Sequence, residues 1–364
     1  MVKGKTKELL LIQVLRGFAS LLVVFFHATE NYHSNLGKEF LGGFFSFGGA
    51  GVDLFFVLSG FIITYTSRDL LKSRSNCSYF LQRRAIRIFP VYWIITIGFL
   101  LIQAALPTLY KTHFSYNWET LLFTFFLLPG HFMVNGVSWT LTNELFFYLL
   151  FAIAFFIRKG QWLFILITAY CILIITVYLL GEHKAITNEW MNLVFFPMNI
   201  EFFLGVGIAI IIHKVPLRLT FPAAALGTFL FLLSGILENN GNRIFDHAFN
   251  RVVYYGIPSA LLIAGLTRYE MEKKPVRVPA LLLSLGDASY SLYLVHLPVM
   301  AAAAKLLARY TATGTAFSHI MMLIVIVVVC GISIFFFKYI EKPLIRFLNS
   351  KVKKNQATRV QLAN

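Results

Sequence analysis

Apolar stretches of roughly 17 to 25 residues, each enough to cross a hydrocarbon core of about 30 Å, recur from Leu9 to Tyr339 with only short polar gaps between them. Inside a bilayer the backbone must satisfy its own N–H and C=O groups, which leaves helices or a closed barrel, and runs this long and continuously apolar select helices. The candidate spans are 9–28, 47–66, 89–106, 141–157, 162–180, 191–213, 219–237, 252–267, 281–304 and 318–338. The segment 119–128 is apolar but short, so it reads as a re-entrant or interfacial piece. The expected fold is therefore all-α, a polytopic integral membrane protein of about ten transmembrane helices. No gap is long enough for a soluble domain. The chain divides into one transmembrane domain, 1–343, and a basic tail, 344–364, which is expected to fray or to lie on anionic lipid.

Composition agrees, with 58% hydrophobic residues, 13% charged residues and a mean hydropathy of +0.73. The first apolar run follows Lys3, Lys5 and Lys7 as a signal peptide would, yet it contains Arg16 and lacks a small-residue cleavage site. It is kept as the first helix. With the N-terminus in the cytoplasm, twenty-four of the 32 basic residues fall on that side, in the start, 67–88, 158–159, 214–218, 268–277 and from 338 onward. Seven fall on the other side, and the asymmetry places both termini in the cytoplasm. The formal charge of +16 thus records orientation, and no nucleic-acid partner is expected. Cys77, Cys171 and Cys330 are too far apart for a zinc spacing or a disulfide framework, and no metal is expected. No internal repeat of the kind common in secondary transporters is evident.

The informative residues are those that a bilayer tolerates only for a reason. Arg16 and His27 share the first span, and eleven steps of about 100° bring both side chains to one stripe, roughly 16 Å apart. That stripe lines a cavity, or else Arg16 snorkels inward and His27 rests at the interface. Asp53, in GVDLFFVLSGF, is expected near the outer surface at the depth of His27. There it either orients the imidazole or meets the macrodipole of its own helix. Arg83, Arg84 and Arg87, ahead of Pro90, suit phosphate groups or serve as positive-inside anchors.

Glu144, in SWTLTNELFFY, is expected at the outer end of its span, as a proton carrier, a grip on a sugar hydroxyl or a dipole partner. Trp139 offers a flat face on which a sugar can stack, or belongs to an aromatic belt. Glu201 lies inside a span and must pair or stay protonated. Asp287, Tyr290, Tyr293 and His296 follow one another in SLGDASYSLYLVHLP, where His296 is a helix-packing residue or a lesser site candidate.

Taken together, these motifs resemble the acyltransferase-3 family of membrane acyltransferases. The matching pieces are Arg16 with His27, GVDLFFVLSGF at 51–61, RRAIRIFPVY at 83–92, SWTLTNELFFY at 138–148, EFFLG at 201–205, SLGDASYSLYLVHLP at 284–298 and EKP at 341–343. The likeness is greatest to stand-alone members that acetylate exopolysaccharide or its lipid-linked precursors. It implies acyl transfer from cytoplasmic acyl-coenzyme A, acetyl-coenzyme A being the expected co-substrate, to a hydroxyl of a glycan or lipid-linked sugar. It also implies residence in a bacterial plasma membrane among its lipids, and leaves a homo-oligomer open.

The family's arginine and histidine fall on Arg16 and His27, its basic motif on Arg83, Arg84 and Arg87, and its Trp-to-Glu motif on Trp139 and Glu144. Two positions depart: Thr140 stands where serine is usual, and Leu145 where a second acid or amide is usual. The expected catalytic residues are His27, Arg16, Glu144 and Asp53. Arg83, Arg84, Arg87 and Arg16 are expected to hold the coenzyme, and Trp139, Glu144, His296 and Tyr293 the acceptor. The competing readings are transfer to a small hydrophobic metabolite, and a permease or flippase that makes no bond.

Overall fold

The computed structural model describes residues 9–106, 117–130, 133–157, 159–182, 186–272, 276–310 and 316–363. Lys3, Lys5, Lys7, Arg158, Lys273 and Lys274, which entered the charge count, lie outside the described residues. Helices follow one another in chain order: α1 (Leu10–Leu36), α2 (Gly51–Ser67), α3 (Asn76–Ala105), α4 (Trp118–Phe126), α5 (Trp139–Ile153), α6 (Gly160–Leu179), α7 (Glu189–Phe195) and α8 (Asn199–Ile211). They continue with α9 (Thr220–Leu237), α10 (Ala248–Arg251), α11 (Ile257–Glu272), α12 (Ala280–Asp287), α13 (Ser289–Tyr310), α14 (Ala316–Phe336) and α15 (Lys342–Ala363). Among the described residues there is no strand.

Nine helical stretches among the described residues are long and apolar enough to cross a membrane. The expected span 252–267 is helical too, but α11 is entered from α10 through a π turn at Val252–Gly256. The short apolar segment is the nine-residue α4. At about 1.5 Å per residue it spans about 14 Å, half a hydrocarbon core. Asn117 starts it by accepting from the Thr120 N–H at 2.8 Å, and Leu127 ends it in the left-handed region at φ +53°. Tyr92 of α3 then ties it down by donating to the Thr124 carbonyl at 2.8 Å. Several boundaries differ from expectation: α3 begins at Asn76 rather than 89, the span 281–304 is divided between α12 and α13, and 191–213 between α7 and α8. α1 continues past 28 to Leu36, so His27 lies within the helix rather than at its end. The tail forms α15, running on from α14 through a π turn at Phe337–Glu341 and packing against α3.

α1 and α2 occupy the middle of the molecule. Four buried apolar clusters meet on them, the largest drawing Val52, Phe56 and Ile63 of α2 together with Val91, Leu141, Phe147, Phe202 and Tyr293. α1 begins without a side-chain cap of its own; instead Glu270 of α11 accepts from the N–H groups of Leu10 at 2.6 Å and Leu11 at 2.9 Å. A carboxylate there satisfies two orphan donors and meets the positive end of the helix dipole.

α2 and α8 approach backbone to backbone. A Cβ on Gly60 would stand 1.9 Å from the Phe202 carbonyl oxygen, and one on Gly205 2.0 Å from that of Val57. Small residues permit this in bilayers, where close packing rather than hydrophobic exclusion associates helices. The rim is the inverse of a soluble surface: Phe164 and Leu166 of α6, Leu101 of α3 and Val327 of α14 are exposed apolar side chains that face lipid.

Candidate functional site

A cavity of about 270 Å³ opens between α1, α2, α3, α5 and α13. Each helix contributes because its polar residues recur at helical spacing on the face turned inward. α1 supplies Gln13 and Arg16, α3 Arg84 and Arg87, and α5 Thr140, Glu144 and Tyr148. Arg16 is held by two bonds, donating to Gln13 Oε1 and to Ser289 Oγ of α13, both at 2.9 Å. Arg84 donates to Thr66 Oγ1 at 3.3 Å, and its guanidinium lies over the rings of Phe80 and Tyr148 at 5.4 and 5.5 Å. Tyr148 donates to Glu144. Glu341, buried and bonded by Ser291, faces Arg16 and Arg87 from the end of α14.

Three guanidinium groups therefore converge with two carboxylates in a partly enclosed space. Arginine forks suit anionic oxygens, and the local positive excess favours an anion entering from the arginine end. Tyr293 of α13 also lines the cavity; it shares a hydrogen bond of 2.9 Å with Thr140 Oγ1 and meets the Phe55 ring edge-on at 5.9 Å.

His27 is not among the residues that line the cavity. Its Nδ1 is 2.9 Å from Glu30 Oε2, and its ring centroid is 5.2 Å from that of His296. His296 in turn lies 5.8 Å from Tyr293. Arg16 and His27 thus share a helix face, but only Arg16 lines the cavity; His27 connects to it through His296 and Tyr293.

Several expected neighbours are separated. Asp53 does not reach His27; it is fully buried in a two-pronged ion pair with Arg251, Nη2 to Oδ2 at 2.6 Å and Nε to Oδ1 at 3.2 Å. The carboxylate on His27 is Glu30, one turn along α1, where the imidazole takes the nearer partner. Glu144 sits with the arginines rather than on the His27 side, because α5 turns it toward α1 and α3. Arg83 is exposed with its guanidinium over the Tyr79 ring at 5.7 Å, one residue off the inward face that carries Arg84 and Arg87.

Trp139 is five residues from Glu144, about 140° around the helix, and lines a second cavity of about 180 Å³ with Asn143, Glu189, Asn192 and Phe196. Glu201 is fully buried beside Asp53 and Gly256.

Glu30, Tyr148, Arg251 and Glu341 escaped sequence reasoning. Glu30 and Tyr148 stand one turn from His27 and Glu144, a spacing that could have flagged them. Arg251 is 198 residues from Asp53, and nothing local marks that pairing.

A family model described as an acyltransferase domain, the acyltransferase-3 type, matches residues 10–338. The exopolysaccharide production protein ExoZ of Rhizobium meliloti (strain 1021) is 29% identical, over 88% of this chain and 94% of its own length. The acyltransferase MdmB of Streptomyces mycarofaciens is 24% identical, over 93% of this chain and 92% of its own. Nodulation protein 10 of Rhizobium leguminosarum bv. viciae is 32% identical over 37% of this chain and 41% of its own. No solved structure matches the chain. A match over nearly the whole chain makes this multi-pass membrane protein a member of the acyltransferase-3 family, an acyltransferase of non-aminoacyl groups.

Proposed function

We propose that the protein moves an acyl group, acetyl in the simplest case, from acyl-coenzyme A to a hydroxyl of a cell-surface polysaccharide or its lipid-linked precursor. The bacterial plasma membrane is its place of work, with both termini in the cytoplasm. The observation that carries this reading is the cavity in which Arg16, Arg84 and Arg87 converge with Glu144. Guanidinium groups at the mouth suit the coenzyme's phosphates, with Arg83 outside as a first contact. Arg16, held from two sides, steers the coenzyme's pantetheine arm toward Tyr293. The production of an exopolysaccharide, named for one relative, points to a glycan acceptor, and the Trp139 cavity offers the stacking face such an acceptor uses.

His27 acts on the acceptor. With Nδ1 donating to the Glu30 carboxylate, the neutral imidazole of His27 presents the lone pair of Nε2. As a general base, Nε2 takes the acceptor's hydroxyl proton while the oxygen bonds the thioester carbonyl carbon. The carbon–sulfur bond then breaks and the thiolate is protonated. The test is thiol release from acetyl-coenzyme A by purified protein in nanodiscs, over a panel of polysaccharide and lipid-linked acceptors. Acceptor-dependent release in wild type that is lost in His27→Ala supports the reading; release that survives in His27→Ala removes His27 from the chemistry.

A further inference from the structure

His296 is fully buried on α13, and the two nitrogens of its ring are not equivalent. Nδ1 is 3.1 Å from the Leu292 carbonyl oxygen, one turn back. A carbonyl only accepts, so Nδ1 carries the ring proton and Nε2 is left with a lone pair. That Nε2 is buried and has no hydrogen-bond partner. An orphaned buried acceptor is costly and calls for an explanation. The ring faces His27 at 5.2 Å between centroids, tilted by 32°. The ring also meets Tyr293, a residue that lines the arginine cavity, at 5.8 Å. Among the described residues, the ring contacts of His296 with titratable residues are with His27 from α1, with Glu30 behind it, and with Tyr293 from its own helix.

We propose that His296 is the proton-relay partner of His27, an inference that rests on the acyl transfer argued above. Two imidazoles stand side by side, each with Nδ1 occupied and Nε2 open. The rings are close enough for a rotation or one bridging water to join the two open nitrogens. The proton that His27 takes from the acceptor hydroxyl passes to Nε2 of His296. From there it is delivered to the sulfur as the carbon–sulfur bond breaks and the thiolate receives it. The balance closes: the hydroxyl loses a proton, the ester oxygen–carbon bond forms, the carbon–sulfur bond breaks with its electron pair on sulfur, and coenzyme A leaves as the thiol. Both histidines return to their starting tautomers.

The experiment compares wild type, His27→Ala, His296→Gln and His296→Ala in nanodiscs, measuring thiol release, donor KM, the pH profile of kcat/KM and the thermal midpoint. The relay predicts that His296→Gln keeps its donor KM and thermal midpoint while kcat falls by roughly 10²-fold, the lower range for a lost acid–base group. It predicts that the inflection of the pH profile moves, and that added imidazole restores part of the rate to His296→Ala. Full rate with an unchanged profile in His296→Gln overturns the relay while leaving the acyl-transfer reading intact. A lost rate accompanied by a lowered midpoint and no imidazole rescue also overturns it, because His296 is then a packing residue. A wild type without acceptor-dependent release, or His27→Ala that retains it, removes the proposed function and the relay with it.

Discussion

Charges buried in a membrane domain reveal themselves unequally. Arg16 is legible because a guanidinium inside an otherwise apolar span needs a partner or a cavity, and Gln13, Ser289 and the cavity supply both. Arg83, Arg84 and Arg87 were legible only as one basic cluster; Arg84 and Arg87 line the cavity, whereas Arg83 lies exposed over the Tyr79 ring. Asp53 was legible as an oddity but not in its role, because its partner lies 198 residues along the chain. That pairing carries a prediction. Asp53→Asn keeps the shape and removes the charge, taking the two-pronged ionic partner from the Arg251 guanidinium, which is only 15% exposed. Breaking a buried pair from one side costs about 3–5 kcal/mol, so the thermal midpoint in detergent should fall sharply. Replacing both residues by leucine should recover most of the loss; an Asp53→Asn protein that melts like wild type would show that the pair does not hold α2 to the segment around Arg251.

Among helices, the two glycine approaches decide how tightly the centre closes. Gly60 and Gly205 are unremarkable in sequence, each a small residue in an apolar span, and only the α2–α8 crossing shows that each has a carbonyl oxygen where a Cβ would stand. Gly60→Ala and Gly205→Ala should therefore each force the helices apart and reduce the yield of folded protein in detergent. Gly207, two residues further on α8, has open space where its Cβ would go. Gly207→Ala should be neutral or gain up to about 1 kcal/mol from helix propensity. Comparing the three by size-exclusion profile and thermal midpoint separates close packing from propensity, and equal behaviour of Gly205→Ala and Gly207→Ala would refute the close approach. The short α4 was legible from length alone. The helical tail α15 was not, since its polar composition gives no reason to expect the packing against α3 that supports it.

At the scale of the molecule, the asymmetry of basic residues makes a prediction that the coordinates do not, since a helix bundle can be inserted either way round. With Cys77, Cys171 and Cys330 replaced by alanine, Ser73→Cys should react with a membrane-impermeant maleimide only from the cytoplasmic side and Lys38→Cys only from the other. The reverse pattern would invert the topology. The sequence by itself determined that this chain is a helical membrane protein, where its spans lie, and which charged residues need a reason to be there. Those conclusions follow from the length of apolar runs and from the cost of a charge in hydrocarbon, both local properties of the chain. The tertiary structure alone decided which of those residues meet. Glu144 joined the arginines, Asp53 left His27 for Arg251, Trp139 turned to a separate cavity, and His296 came to face His27. Helix periodicity places a residue on a face, but which helix that face meets depends on packing between segments hundreds of residues apart, and no local pattern encodes that.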